Sequence, residues 1–454
     1  QHPGQQDPAD RAASALQRLM PGATAPEDPT PPPAPLARAL PPVDEAPRLH
    51  GSVQARYRLR RSDLDRDQDL SLSTTLDYGD AEKHATTARF AGRGFADLDG
   101  IQSDNSFNGL DESFDDRVNG YVYEAYADFH RIDDVGLARL GRQPLYDTPE
   151  VIEFDGARVD SERIGSARGW GSIYGGLPVR QWEASRHGDG IFGLAGGLQP
   201  WDQGRVRFDW MRIQDETLTF DGSDDLLSTM WWQGLGEHGS LHGKHTWLDG
   251  KPRDLLLRHN GNFDLLALSS TVTYRELLTA QRDQVTDFDP YNPILLTYEP
   301  FRQLEVLLST QLDEQWSLSA GCDLRRLRDD ASEGQYNHEY TRAYVGPSVQ
   351  DLFGEDLVLS VQAEAWDASD SDYHTVSGDL RWRLSEPLIA TLGSSYARYA
   401  YDQFAGEERD HVRDWFVRFQ YRPKPSMRVD AAVEYEDNDF DSYMHLRLST
   451  TWTF

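Results

Sequence analysis

Residues 442–454 read SYMHLRLSTTWTF, and their polarity alternates one by one. Met444, Leu446, Leu448, Thr450, Trp452 and Phe454 share one parity, while His445, Arg447, Ser449 and Thr451 share the other. Successive side chains of an extended chain point to opposite faces, so this is a strand with an apolar face and a polar face. The same pattern recurs upstream. Val53, Ala55, Tyr57 and Leu59 alternate with Gln54, Arg56, Arg58 and Arg60. Trp316, Leu318, Ala320 and Cys322 alternate with Ser317, Ser319 and Asp323, and Val417, Phe419 and Tyr421 with Arg418, Gln420 and Arg422. These runs exceed the usual strand of about five or six residues. Their polar faces also carry Arg, Asp and Glu in mid-strand, which a packed sandwich would have to bury. One apolar and one charged face, repeated over residues 49–454, predicts an all-β fold. The expectation is a single large transmembrane antiparallel up-and-down β-barrel of about 20–22 strands, with lipid outside and water inside.

Composition narrows the alternatives. Asp and Glu total 76 against 45 Lys and Arg, a net charge of -31, which excludes nucleic acid as an expected partner. The chain holds 12 Trp, 20 Tyr and 18 Phe, too many aromatics for disorder over most of its length. No run approaches about 18 apolar residues, so a transmembrane helix is excluded. A mean hydropathy of -0.66 does not exclude a barrel, because half of each spanning strand is polar. Cys322 is the single cysteine, so no intramolecular disulfide can form, and its parity makes it a lipid-facing or packed side chain.

The connections alternate in length. Short ones read LDEQ (312–315), LSEP (384–387) and RPKPS (422–426), and long acidic ones lie near 97–118, 277–300, 327–336, 401–410 and 437–442. Short turns at one end and long loops at the other are the asymmetry of an outer-membrane barrel, with the long loops extracellular. Residues 1–48 form a separate N-terminal periplasmic leader, with a short amphipathic helix over 9–20 and a Pro-rich spacer over 21–47.

The final strand with its terminal Phe454 resembles the closing strand of bacterial outer-membrane β-barrels. That resemblance implies that Trp452 and Phe454 serve as the signal read by the barrel assembly machinery. It also implies a mature terminus at Gln1 and a surround of outer-membrane lipid and lipopolysaccharide. The segment LARLGRQPLYDTPEVIEFDGARV (137–159) resembles a strand pair of substrate-specific and alginate-export-type porins. Its matching residues are Gly141-Arg142-Gln143 and Phe154-Asp155-Gly156.

Candidate transport residues follow from the polar parity. They are Arg56, Arg58, Arg60, Glu124, Asp128, Arg139, Arg207, Asp209, Arg325, Arg381, Arg383, Arg418, Asp430, Glu434 and Arg447, all expected to line the lumen. Such rings either hold a wide barrel open as a salt-bridge lattice or select a charged solute. Two acidic loops are weak calcium candidates: Asp104, Asp111 and Asp115 in one, and Asp437, Asp439 and Asp441 in the other. His242 and His245 are three apart, so on a strand they face opposite ways and cannot share one metal. GWGSIYGG (169–176) lacks the strand–helix setting of a phosphate cradle and marks a bend or close strand approach instead. No hydrolase, metalloprotease, nucleotide-binding or haem-attachment motif is present, so neither catalysis nor a cofactor is expected. Three roles remain open: a porin-like channel for a small or charged solute; a barrel sheath around an inserted partner such as a multihaem cytochrome; and a polysaccharide exporter. The leader could reach a periplasmic partner.

Overall fold

A computed structural model describes residues 46–100, 107, 117–180, 188–216, 221–263, 267–279, 299–328, 339–368, 372–402, 407–439 and 441–454. The expected helix and Pro-rich spacer of the leader lie outside these residues. The strands are β1 (Leu49–Arg61), β2 (Arg66–Tyr78), β3 (Thr86–Asp97), β4 (Val118–Phe129), β5 (Val135–Leu145), β6 (Ile152–Ser161) and β7 (Trp170–Pro178). They continue with β8 (Gly190–Leu198), β9 (Gly204–Glu216), β10 (Asp221–Gly234), β11 (Gly239–Leu248), β12 (Lys251–Phe263), β13 (Leu268–Leu277), β14 (Phe301–Gln311) and β15 (Trp316–Leu327). The last are β16 (Tyr340–Val349), β17 (Leu357–Ala368), β18 (Asp372–Ser385), β19 (Leu388–Asp402), β20 (Glu407–Lys424), β21 (Met427–Asp437) and β22 (Ser442–Thr453).

All 22 strands form one antiparallel sheet, each paired with its neighbours in sequence. The sheet closes because β1 also pairs with β22, from Ser52 opposite Thr453 to Arg61 opposite Met444. Gly51 and Phe454 exchange two backbone hydrogen bonds at the foot of that seam, 2.9 and 3.0 Å. A closed wall leaves no strand edge unpaired, which is the condition for crossing lipid with strands.

The two faces of the wall separate by parity, as period-two patterning requires. One face carries exposed apolar side chains, including Phe208 (54%), Leu392 (56%) and Trp452 (56%). Within β2 to β11 every buried side chain lies on the other parity, from Asp67 and Phe95 to Ile213 and Thr246. Nothing can cover the convex side of a closed barrel, so the buried parity faces inward. A soluble protein rarely exposes a contiguous apolar belt of this kind.

The loop expected over 401–410 is shorter in the structure, because β19 runs to Asp402 and β20 begins at Glu407. Tyr399 and Tyr401 suit an extended chain and continue the ladder opposite Asp410 and Glu408. The connections 98–117, 278–300 and 328–339 are long and lie at one end of the barrel, largely outside the described residues.

Candidate functional site

The connection between β5 and β6, residues 146–151 (YDTPEV), reaches across the inner wall to side chains of β9, β11 and β12. Three cations on distant strands hold it there. Lys244 on β11 donates from Nζ to the carbonyls of Thr148 (3.1 Å) and Pro149 (3.2 Å). Arg207 on β9 reaches Asp147 at 3.3 Å. Arg253 on β12 lies 2.6 Å from Glu150, an ion pair by distance and not by hydrogen-bond angle. The Thr148 hydroxyl donates to the carbonyls of Leu145 and Glu150, closing the turn on itself, and Thr148 is buried.

Strand β6 beneath this loop and its neighbour β7 are packed too tightly for side chains at their paired glycines. A Cβ on Gly156 would lie 2.1 Å from the Gly175 carbonyl oxygen, and one on Gly176 would lie 2.3 Å from that of Asp155. Gly141 adds a φ of +124°, a conformation other residues rarely adopt. Gly141 and Gly156 are direct ladder partners, as are Arg142 and Asp155. Arg142 grips Asp155 through two bonds of 2.8 Å. Gln143 is fully buried and donates to the Gly156 carbonyl at 3.2 Å.

Under the loop lies an apolar cluster on the inner face: Leu145, Ile152, Phe154, Tyr174, Ile191, Met211, Ile213 and Leu226, with Leu248 against it. Fully burying such side chains contributes about 1.5–3 kcal/mol each, enough to seat a short loop firmly. Beside the cluster is a cavity of about 570 Å³. Its lining includes Arg89, Arg139, Arg158 and Arg207, together with Glu124, Asp147 and Tyr174. Asp128, Asp160 and Asp209 pair with Arg139, Arg158 and Arg207 (2.6, 2.9 and 2.7 Å) but do not line the cavity. These three carboxylates stand behind their guanidiniums, while Glu124 and Asp147 share the lining with Arg89 and Arg207. The Tyr174 hydroxyl is buried and has no hydrogen-bond partner among the described residues.

The expected lumen residues occupy the inner parity and fall into groups. Glu124, Asp128, Arg139, Arg207 and Asp209 belong to the wall around the cavity. Arg58 and Arg60 pair with Asp69 and Asp67, both at 2.5 Å, and the exposed Arg56 donates to Gln54 at 3.3 Å. Arg447 faces Arg58 directly across the seam. Arg418 pairs with Glu434 at 2.5 Å, and His445 stands 3.8 Å from the same carboxylate. Arg325 stacks over the Phe301 ring at 3.9 Å. Asp430 accepts from Arg428 at 2.8 Å. Arg381 and Arg383 lie apart from these, with Arg422 in a cavity of about 340 Å³ at the short-turn end.

His242 stacks on Trp232 at 5.1 Å, and His245 packs on Trp247 at 3.9 Å on the opposite parity, so the two do not converge. Of the calcium candidates, Asp104, Asp111 and Asp115 lie outside the described residues. Asp441 accepts from the backbone of Ser442 and Asp63, and Asn438 accepts from the backbone of Asp441, so this acidic loop braces its own turn. Among the described residues, the one carboxylate trio with oxygens mutually within 4.8 Å is a different set: Asp67, Asp97 and Asp99.

No family model matches the chain, and no curated protein matches it in sequence. Solved structures do match in shape. The P pilus usher (PapC) translocation pore superposes with a TM-score of 0.50 at 10% identity, covering 89% of this chain and 99% of that one. The fold is that of an outer-membrane β-barrel. The siderophore receptor PirA from Pseudomonas aeruginosa gives 0.51 at 13% identity, over 92% and 82% of the two chains. OpdK from the same organism, solved with vanillate, gives 0.44 at 11% identity over 89% and 98%, too loose a superposition to argue from.

Parity alone does not reveal the inner apolar cluster of this barrel. The signal is local: VIEF (151–154) and WMRI (210–213) place apolar residues on both parities, where a wall between lipid and water needs only one.

Proposed function

We propose that the chain is a channel of the bacterial outer membrane, passing a small charged solute by diffusion past a fixed constriction. The observation that carries this reading is the inward loop 146–151, pinned by Lys244, Arg207 and Arg253 over a packed apolar seat. A loop held from three strands narrows the passage without closing it. The guanidinium-fronted cavity beside it offers spare N–H donors to an anionic group, while the paired carboxylates hold each arginine in place. Arg56, Arg58, Arg60 and Arg447 add a basic group to the seam wall of the same lumen.

A sheath around an inserted protein, or a polysaccharide exporter, calls for an unobstructed bore, and the seated loop works against both. In this reading the long loops face outward from the cell and the leader lies in the periplasm. Reconstitution of the purified, folded chain into a planar bilayer tests the proposal. Ohmic channels are expected, with a larger unit conductance when residues 146–151 are replaced by a short Gly-Ser turn. Silent bilayers from folded protein would overturn the channel, and an unchanged conductance in the loop variant would remove the constriction.

A further inference from the structure

The outer face differs between its two ends. Near the short turns its strand positions are aromatic and aliphatic, with Phe263, Trp316, Trp382, Tyr421 and Trp452 all exposed. Near the long loops the same parity brings out arginines. Arg142 and Arg212 are each answered by a carboxylate on the neighbouring strand, Asp155 at 2.8 Å and Asp225 at 3.1 Å.

The β14–β15 pair is different. Arg302 and Arg326 are direct ladder partners, both exposed on the outer face. Like charges placed directly opposite destabilise a sheet. Glu276 lies 3.2 Å from Arg302 and 3.1 Å from Arg328, so a single carboxylate serves two guanidiniums. Arg326 donates to the carbonyls of Arg325 (2.8 Å) and Tyr340 (2.9 Å) and to the Thr341 hydroxyl (3.0 Å). Among the described residues no carboxylate forms a salt bridge with it. Directly below, the ladder partners Leu304 and Leu324, then Val306 and Cys322, continue the same face as an apolar column. Tyr274 is the partner of Leu304 on the other side, and its hydroxyl donates to Glu276 at 2.9 Å.

We propose that this surface binds the phosphorylated headgroup of a membrane lipid, with an acyl chain lying along the Leu304–Cys322 column. A phosphate between Arg302 and Arg326 turns a repulsive pair into two charge-assisted contacts, and guanidinium geometry suits phosphate oxygens. The apolar column selects a lipid over a free phosphate, which would use the guanidiniums alone. The site rests on the barrel sitting in a bilayer and does not depend on what passes through it.

Native mass spectrometry of the full chain released from detergent tests the site. Dioleoyl phosphatidic acid is the probe, and dioleoyl phosphatidylcholine the comparison, its phosphate masked by choline. Expected are a phosphatidic acid adduct that inorganic phosphate does not displace, weak retention of phosphatidylcholine, and about a tenfold loss of adduct in the R302Q/R326Q variant. Arg326→Gln alone keeps the Arg302–Glu276 pair and should show an intermediate loss, which guards against misfolding of the double variant. Equal adducts in wild type and double variant, or equal retention of the two lipids, would overturn the proposal. Displacement by equimolar inorganic phosphate would overturn it too, by making this a site for the free anion. Bilayer conductance of the same preparations reports separately on the channel reading.

Discussion

The barrel has two unlike inner walls. From β5 to β11 the inner face is built like the core of a soluble protein, with Ile152, Phe154, Met211, Ile213 and Leu226 at 0–1% exposure beneath a pinned loop. From β17 to β22 the same parity holds ion pairs such as Arg418–Glu434, half-buried and open to the lumen. Both walls obey one alternation, so the difference lies in what covers them. In the channel proposed above, packing on one side holds the inward loop, and solvated charge on the other leaves room for a solute.

The largest effect is expected where packing and charge meet. Removing the Phe154 ring (Phe154→Ala) should cost about 3–5 kcal/mol, because it leaves a cavity at the centre of the loop's seat. Thermal unfolding in detergent would show this, and a change below 1 kcal/mol would mean the cluster is not a core. Arg207→Gln should cost a similar about 3–5 kcal/mol by stranding Asp209, which is 3% exposed, and should also free the loop through loss of the Asp147 pair. Single-channel noise should rise in that variant, and quiet channels would dissociate the loop from this pair.

Arg418→Gln on the open wall should cost less, about 1 kcal/mol, since Glu434 keeps His445 and lumen water. A cost equal to that of Arg207→Gln would erase the distinction between the walls. Arg56→Ala should leave stability within about 0.5 kcal/mol, because its side chain is exposed, yet shift the reversal potential toward cations. An unshifted potential would assign the Arg56 side chain to a solvated wall with no part in selectivity.

Much of this was legible in the chain. Period-two runs such as Val53–Leu59 and Met444–Trp452 fixed strand faces, and about 20–22 strands could be counted where the structure has 22. Alternation also puts Arg58, Arg139 and Arg418 on the polar face of their strands, where each meets a carboxylate of a neighbouring strand. The inward loop was not legible, because alternation says which face a residue takes and is silent on what packs over it. Residues 146–151 look like any short polar connection, and only the apolar residues on both parities of VIEF and WMRI hinted at a second covered surface. Pairing choices were hidden for a related reason. Arg142–Asp155 and Arg302–Arg326 depend on register between strands, which a single strand's pattern cannot supply.

The seam between β1 and β22 joins residues nearly the whole chain apart. Ten positions pair there, against thirteen between β1 and β2. Every other ladder links neighbours in sequence and can form by local zipping, whereas this one must wait until both ends are in place. Until then the sheet has two raw edges of unpaired N–H and C=O groups, a state lipid tolerates poorly. The pair of hydrogen bonds between Gly51 and Phe454 is therefore the stitch that turns a curling sheet into a vessel. It marks where an incompletely assembled wall would gape, and where another strand could be let in.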